Sequence, residues 1–190
     1  MILEKEYIRE NAVLYAKKYA FTRNPLFATF EGIGGNCTNF VSQCVLAGSC
    51  VMNFTPVFGW YYLSLRRRSP SWSGVEFFYD FITANEGVGP YGSEVGPEDA
   101  MIGDVVQLAK SDGDYYHTLI ITKIENGEIF ISANTNDALD RPLSEYDYAV
   151  ARYIHIRGVR YDTRFRIDCF DSLYDPPLSS DGEETENDGG

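Results

Sequence analysis

The chain of 190 residues contains no apolar run approaching the ~18 residues that a membrane-spanning helix needs, so no membrane span is expected. Cysteine is scarce: Cys37, Cys44, Cys50 and Cys169 make up the whole set, and no C-x-x-C pair occurs. Their spacing matches no zinc ribbon or finger, and they are too sparse for a disulfide scaffold, so all four are expected to be reduced thiols. Histidine is scarcer still, with His117 and His155 alone. So few soft ligands at metal spacing argue against a thiol–metal centre, and no cofactor is expected. Positive charge is also short: 16 Lys and Arg face 28 Asp and Glu, for a net charge of −12. Six of those acids fall in residues 175–190, which hold no base, and the rest of the chain is still acidic. That sign excludes tight binding of duplex nucleic acid, which needs clustered Lys and Arg. The one basic cluster, Arg66, Arg67 and Arg68, reads as a solvated loop before Ser69-Pro70. No lysine follows the glycines of residues 31–36, which excludes a phosphate-binding loop. The start, MILEKEYIRE, has neither a basic n-region nor an apolar h-region. It fits a cytoplasmic protein or the mature part of an exported one.

What is present is an ordinary globular composition, 44% hydrophobic and 23% charged, with 15% aromatic residues that suit a strand-rich core or an aromatic groove. Residues 5–20 carry Ile8, Ala12, Tyr15, Ala16 and Tyr19 at helical spacing. A Gly-rich turn, EGIGGN, leads into a second helix expected from Asn36, as N-cap, to Gly48, as C′ residue, with Cys37, Phe40, Val41, Cys44 and Val45 on one face. Loops and one short helix near 74–84 follow. Strands are then expected at VVQLA, HTLIITKI, EIFISAN and about 149–157, with Asn126-Gly127 closing a hairpin. Helices first and strands afterwards predict an α+β fold with helices packed on an antiparallel sheet. The domain is expected to span 1–170. Residues 171–190, rich in acids, Pro, Ser and Gly from Asp175 onward, are expected to form a disordered tail.

Chemistry points to Cys37. It lies on the first turn of the expected second helix, where free N–H groups and the positive end of the helix dipole stabilise a thiolate and could also hold an oxyanion. Cys44, one helical face inside, reads as a buried core residue, as do Cys50 and Cys169 by default. A thiolate nucleophile needs a base. His155 lies in YIHIR with its neighbours facing the other way, and reads as a packed or solvated strand residue. His117 opens a strand after the loop SDGDYY. If Glu125 pairs with Glu128, His117 falls opposite Asn136, with Asn134 on the same face. Asn134 is thus the first choice to orient the imidazole, Asn136 the second and Asp137 the third.

The blocks GGNCTNFVSQC, WYY and SPSWSGV, GDVVQ, HTLIIT and ISANTND occur in that order over roughly residues 5–157. Together they resemble the putative amidase domain family of bacteria, which looks like a branch of the papain-like fold shared with NlpC-type cell-wall peptidases and CHAP amidases. The resemblance implies Cys37 as nucleophile, His117 as base and Asn134 as third residue. It implies amide or peptide hydrolysis through a thioester, on peptidoglycan or a related peptide. In that scheme Asn36 is expected to assist the oxyanion, and Trp60, Tyr61, Tyr62 and Trp72 to line a groove or to form the exposed edges of a second small core. The asparagine at 134 also motivates an alternative, a peptide- or cell-wall-binding module with a degenerate Cys-His site.

Overall fold

In the computed structural model, Asn126 and Gly127 take left-handed backbone angles, φ 53° and 81°, as a two-residue hairpin turn requires. They join β6 (Tyr115–Glu125) to β7 (Glu128–Ala133), with Glu125 opposite Glu128. The structure describes residues 1–31, 35–165 and 167–177. Most of the expected Gly-rich turn (32–34) and of the expected disordered tail (178–190) lies outside the described residues.

The hairpin belongs to a seven-stranded antiparallel sheet. Its spine is β9 (Val150–Asp162), which pairs along one edge with β5 (Val105–Ala109) and then β1 (Ile2–Lys5), and along the other with β4 (Gly89–Val95). Beyond β5 follow β6, β7 and β8 (Ala138–Pro142). A small hairpin, β2 (Tyr62–Ser64) and β3 (Arg67–Arg68), stands apart. The α+β class and antiparallel sheet agree with the sequence reading. β1, β2, β3, β4 and β8 were not expected; the stretch holding β2 and β3 reads in the sequence as loop. β4 and β8 carry glycine and proline, and β1 precedes the helical pattern.

The helices are α1 (Arg9–Tyr19), α2 (Cys37–Ser49), α3 (Pro70–Ser73), α4 (Val75–Ala84) and α5 (Phe170–Tyr174). Alternation along the strands divides the core in two. Val105, Ile120, Ile154 and Ile156 face the helices, while Val106, Leu108, Leu119, Ile121 and Ile131 form a second cluster on the other face. Every residue of α2 is buried, so it is a central helix and not an amphipathic surface one. Gly48 does not end it. A Cβ there would lie 2.4 Å from the Tyr7 ring, so glycine is required by close packing, and the left-handed cap falls on Cys50, φ 50°. Helix α1 starts four residues later than expected because residues 2–5 pair with β9, which leaves Ile8 half exposed. Its first turn is clamped to the sheet by Arg9, which donates to Asp104, 2.5 Å away, and to the Ile156 carbonyl; Asp104 also bonds His155.

Two expectations are corrected at the C-terminal end. Residues 170–174 are helical, so order continues past residue 170. Cys50 and Cys169 are not thiols: they form a disulfide across 119 residues of sequence. It ties the end of α2 to the segment before α5, a pairing that sequence spacing does not show. Cys37 and Cys44 are free.

A cross-link closing a loop of this size contributes about 4–5 kcal/mol in the loop-entropy picture, with strain and residual unfolded structure subtracting from it. Urea unfolding of the oxidised protein and of a Cys50→Ser, Cys169→Ser variant measures the difference. The variant is expected to unfold at clearly lower urea with Cys37 and Cys44 still present; equal midpoints refute a stabilising cross-link.

Candidate active site

Cys37 is the first residue of α2, where the helix dipole presents its positive end. Its side chain is buried with a small exposed edge, 7%. Sγ lies 3.8 Å from Thr38 Oγ1, and Thr38 Oγ1 lies 2.8 Å from Thr118 Oγ1 on β6. Among the described residues no hydrogen bond joins Cys37 to His117.

A bulge explains the separation. The expected pairing holds from the turn as far as Lys123 opposite Phe130, but Ile121 pairs with Ile131, so Thr122 is an extra residue. One residue of slip exchanges the faces of a strand. Continuing the observed register places Thr118, not His117, across from Asn134. A second bulge, at Tyr116, precedes His117, which pairs with Leu108 and points toward the second cluster. There its ring lies 6.2 Å from that of Tyr116 and 6.1 Å from that of Tyr146. Burial pushes the imidazole pKa down to about 4, so the fold holds it neutral.

Asn134 therefore does not orient His117; its amide is committed elsewhere. Nδ2 faces the carbonyls of Tyr19, Ala20 and Thr22 at the end of α1, at 2.9, 3.2 and 3.3 Å. Oδ1 accepts from Asn36 Nδ2. Asn36 Oδ1 in turn accepts from Asn39 Nδ2 at 2.7 Å and from Phe30 N–H, and Asn36 N–H donates to Thr135 Oγ1 at 2.7 Å. Asn39 Oδ1 accepts the indole N–H of Trp72 at 2.8 Å. This ladder of buried amides fixes the entry into α2. The second- and third-choice orienters are not beside the imidazole in a hydrogen bond either: Asp137 is an ion-pair partner of Arg23, which also holds Glu31, and Asn136 takes a left-handed turn conformation, φ 52°.

The Asn36 side chain is fully engaged within the ladder, so it is not aimed as a free donor at the Cys37 sulfur, contrary to expectation. Trp60 and Trp72 do not line a groove. Both are fully buried, 4.9 Å apart between ring centroids, inside the helix-side core. Their N–H groups find partners in Ser42 and Asn39, as buried indoles require. Tyr62 is buried beside them and Tyr61 is only partly covered. A small cavity of about 10 Å³ borders Asn36, Asn39, Gln43 and Asn134 together with Phe27 and Phe40, room for about one water. Among the described residues, clefts of about 430 and 840 Å³ are lined by other residues, the second lying against the disulfide.

Sequence reasoning missed Thr38, Thr118, Gln107 and Arg152. Gln107 Nε2 donates to Thr118 Oγ1 at 3.2 Å and to the Val75 carbonyl at 2.8 Å, and Arg152 Nε donates to Gln107 Oε1 at 2.8 Å. A signal was available: Arg152 shares its strand face with Ile154 and Ile156, where a charge requires a partner.

Comparison with known proteins came to three findings. A model described as "putative amidase domain" matches residues 6–157. The chain is 33% identical over 147 residues to a Bacillus subtilis (strain 168) protein named "Uncharacterized protein YhbB", covering 75% of this chain and 46% of that one, so it spans about half of the relative's length. No solved structure matches.

The buried imidazole makes stability depend on acid. With an unfolded value of about 6.5 and a folded value of about 4, the neutral ring is favoured by the fold. The His117 contribution is thus complete above pH 6.5 and is lost as pH falls toward 4, by about 3 kcal/mol. Urea midpoints measured between pH 7 and pH 4 are expected to fall less steeply for His117→Gln than for the wild type. Parallel curves would place the ring in solvent, contrary to its position here.

Proposed function

The chain belongs to the putative amidase domain family, and on that premise we propose that it hydrolyses a carbon–nitrogen amide bond with Cys37 as the attacking atom. The observation that carries the reading is the placement of this one sulfur. It sits at the positive end of a helix buried along its whole length, beside the buried amides and hydroxyls of Asn36, Thr38 and Asn39. Cys44, two helical turns further in, has its thiol pushed well up by burial and serves as packing.

Thiolate attack on the carbonyl carbon forms a tetrahedral oxyanion, which first-turn N–H groups stabilise. Collapse expels the amine, which takes up a proton, and leaves a thioester. Water cleaves the thioester, releasing a carboxylate and restoring the thiol. His117 supplies the proton transfers. In this conformation it lies on the far face, one position from Thr118, and movement of the extra β6 residue from Tyr116 to Thr118 brings it to the helix side. The pairs Ala109–Tyr115 and Val106–Leu119 on either side can both remain, so the change is confined to three residues. The substrate class we assign is a peptide amide of the peptidoglycan type. The disulfide, which persists in oxidising surroundings, favours a substrate met outside the reducing cytoplasm.

The separation of His117 from Cys37 favours one other reading, a peptide- or glycan-binding module that turns nothing over. Muropeptides incubated with the protein and examined by mass spectrometry for newly freed amino groups separate the two. Cys37→Ala is expected to abolish release with a nearly unchanged Tm, and His117→Gln to reduce it at least about a hundredfold, as loss of an acid–base group does. Release that persists in Cys37→Ala ends the nucleophile assignment. Binding without release by the wild type, retained in Cys37→Ala, identifies the module instead.

A further inference from the structure

Four contacts within hydrogen-bond distance connect the Cys37 sulfur to a buried cation, and with the sulfur as a thiolate their donors can all run in one direction. A thiolate can only accept, so Thr38 must donate its hydroxyl hydrogen to Sγ across 3.8 Å. Thr38 Oγ1 then accepts from Thr118, 2.8 Å away. Thr118 in turn accepts from Gln107 Nε2 at 3.2 Å, and Gln107 Oε1 accepts from Arg152 Nε at 2.8 Å. The amide of Gln107 cannot run the other way, because its second N–H is held by the Val75 carbonyl and its oxygen faces a guanidinium. Three of these residues come from neighbouring strands: Gln107 on β5, Thr118 on β6 and Arg152 on β9. Gln107 and Thr118 are fully buried and directly opposite each other, as are Gln107 and Arg152.

We propose that Arg152, Gln107, Thr118 and Thr38 form a relay that stabilises the negative charge on Cys37 in the resting protein, with His117 taking no part. The proposal rests on Cys37 as the reactive group and adds to it the residues that hold it ready. Every dipole in the relay points its positive end toward the sulfur, and hydrogen bonds so aligned polarise one another in a low-dielectric interior. The cation at its origin is held firmly. Arg152 is nearly buried, its guanidinium is 3.7 Å from the ring centroids of both Tyr79 and Tyr115, and Glu76 beside it is half exposed. Around the other end, the charged groups on the segments flanking the α2 entry are Arg23, Glu31 and Asp137, joined in ion pairs with one another. The four relay residues touch no substrate in this scheme. They are positioning residues.

The test is the pH profile of Cys37 alkylation by iodoacetamide, read by peptide mass on the oxidised protein, where Cys50 and Cys169 are protected and Cys44 is inaccessible. Thr118→Val keeps the shape and removes the hydroxyl. A hydrogen bond to a charged acceptor is strong enough to change a thiolate population about tenfold, so this variant is expected to alkylate about tenfold more slowly at neutral pH, with its profile displaced to higher pH. Thr118→Ser is expected to restore the wild-type profile, Thr38→Val and Arg152→Met to show the displacement, and His117→Gln to show none. A folded Thr118→Val, judged by near-UV circular dichroism, that alkylates like the wild type overturns the relay. So does a profile displaced by His117→Gln alone. Because the readout needs no turnover, a displaced profile in a protein that cleaves nothing would refute the amidase reading and leave the relay standing.

Discussion

The constraint from which the site follows is that α2 is buried from its first residue. A helix leaves its first backbone N–H groups without partners inside the helix, and at the surface water satisfies them. Here the residues around that terminus, Asn36, Thr38, Asn39 and Asn134, are themselves almost fully enclosed. Every polar atom among them must find a partner in the protein, since an unpaired buried one costs about 1–3 kcal/mol. The structure meets that demand with side chains from the sheet. Thr135 and Asn134 hold Asn36 from the end of β7, and Thr118 holds Thr38 from β6. The sulfur of Cys37 is placed within this network and gains a fixed position at no cost in mobile side chains.

The same demand explains why amides and hydroxyls are found around Cys37. An amide side chain both donates and accepts, so a row of them can pass from one element to the next with each group satisfied. The row from Trp72 through Asn39 and Asn36 to Asn134 ends on three carbonyls at the close of α1, groups a helix C-terminus leaves open. A carboxylate in place of Asn134 could not donate to them.

How much of this was legible depends on whether a signal was local. The two long helices and the hairpin at Asn126-Gly127 follow from periodicity and turn chemistry, and their positions agreed with the structure to within a few residues. Cys37 as a helix-terminal sulfur was legible for the same reason. That His117 and Asn134 lie on opposite faces was not, because it required counting register across eight residues, and a single extra residue at Thr122 inverts the count. Thr122 gives no sign of this in the sequence; it bonds Ser132 across the strands and is buried like Ile121 before it. Trp60 and Trp72 misled for a different reason. Indoles suit a groove and a core equally, and which one they occupy is decided by Ser42 and Asn39, polar residues on a helix that periodicity alone renders as amphipathic.

The disulfide and the amide row act on the same element from opposite ends. Cys50 caps α2, and its bond to Cys169 brings α5 against α1, where Tyr19 and Lys18 donate to the Tyr174 carbonyl and Asn24 to that of Leu173. Asn24 also donates to the Tyr15 hydroxyl, which donates to Gln43 within α2. The end of α1 is thus gripped by α5 on one side while its last carbonyls grip Asn134 on the other. Fixing the entry of α2 through α1 would be ineffective if α1 were free to tilt, and the cross-link at the far end of α2 is what denies it that freedom. The entry of α2, with Cys37 on its first turn, is then held by covalent and hydrogen-bonded closure around a loop of three helices, which is a more rigid support than any one of its contacts.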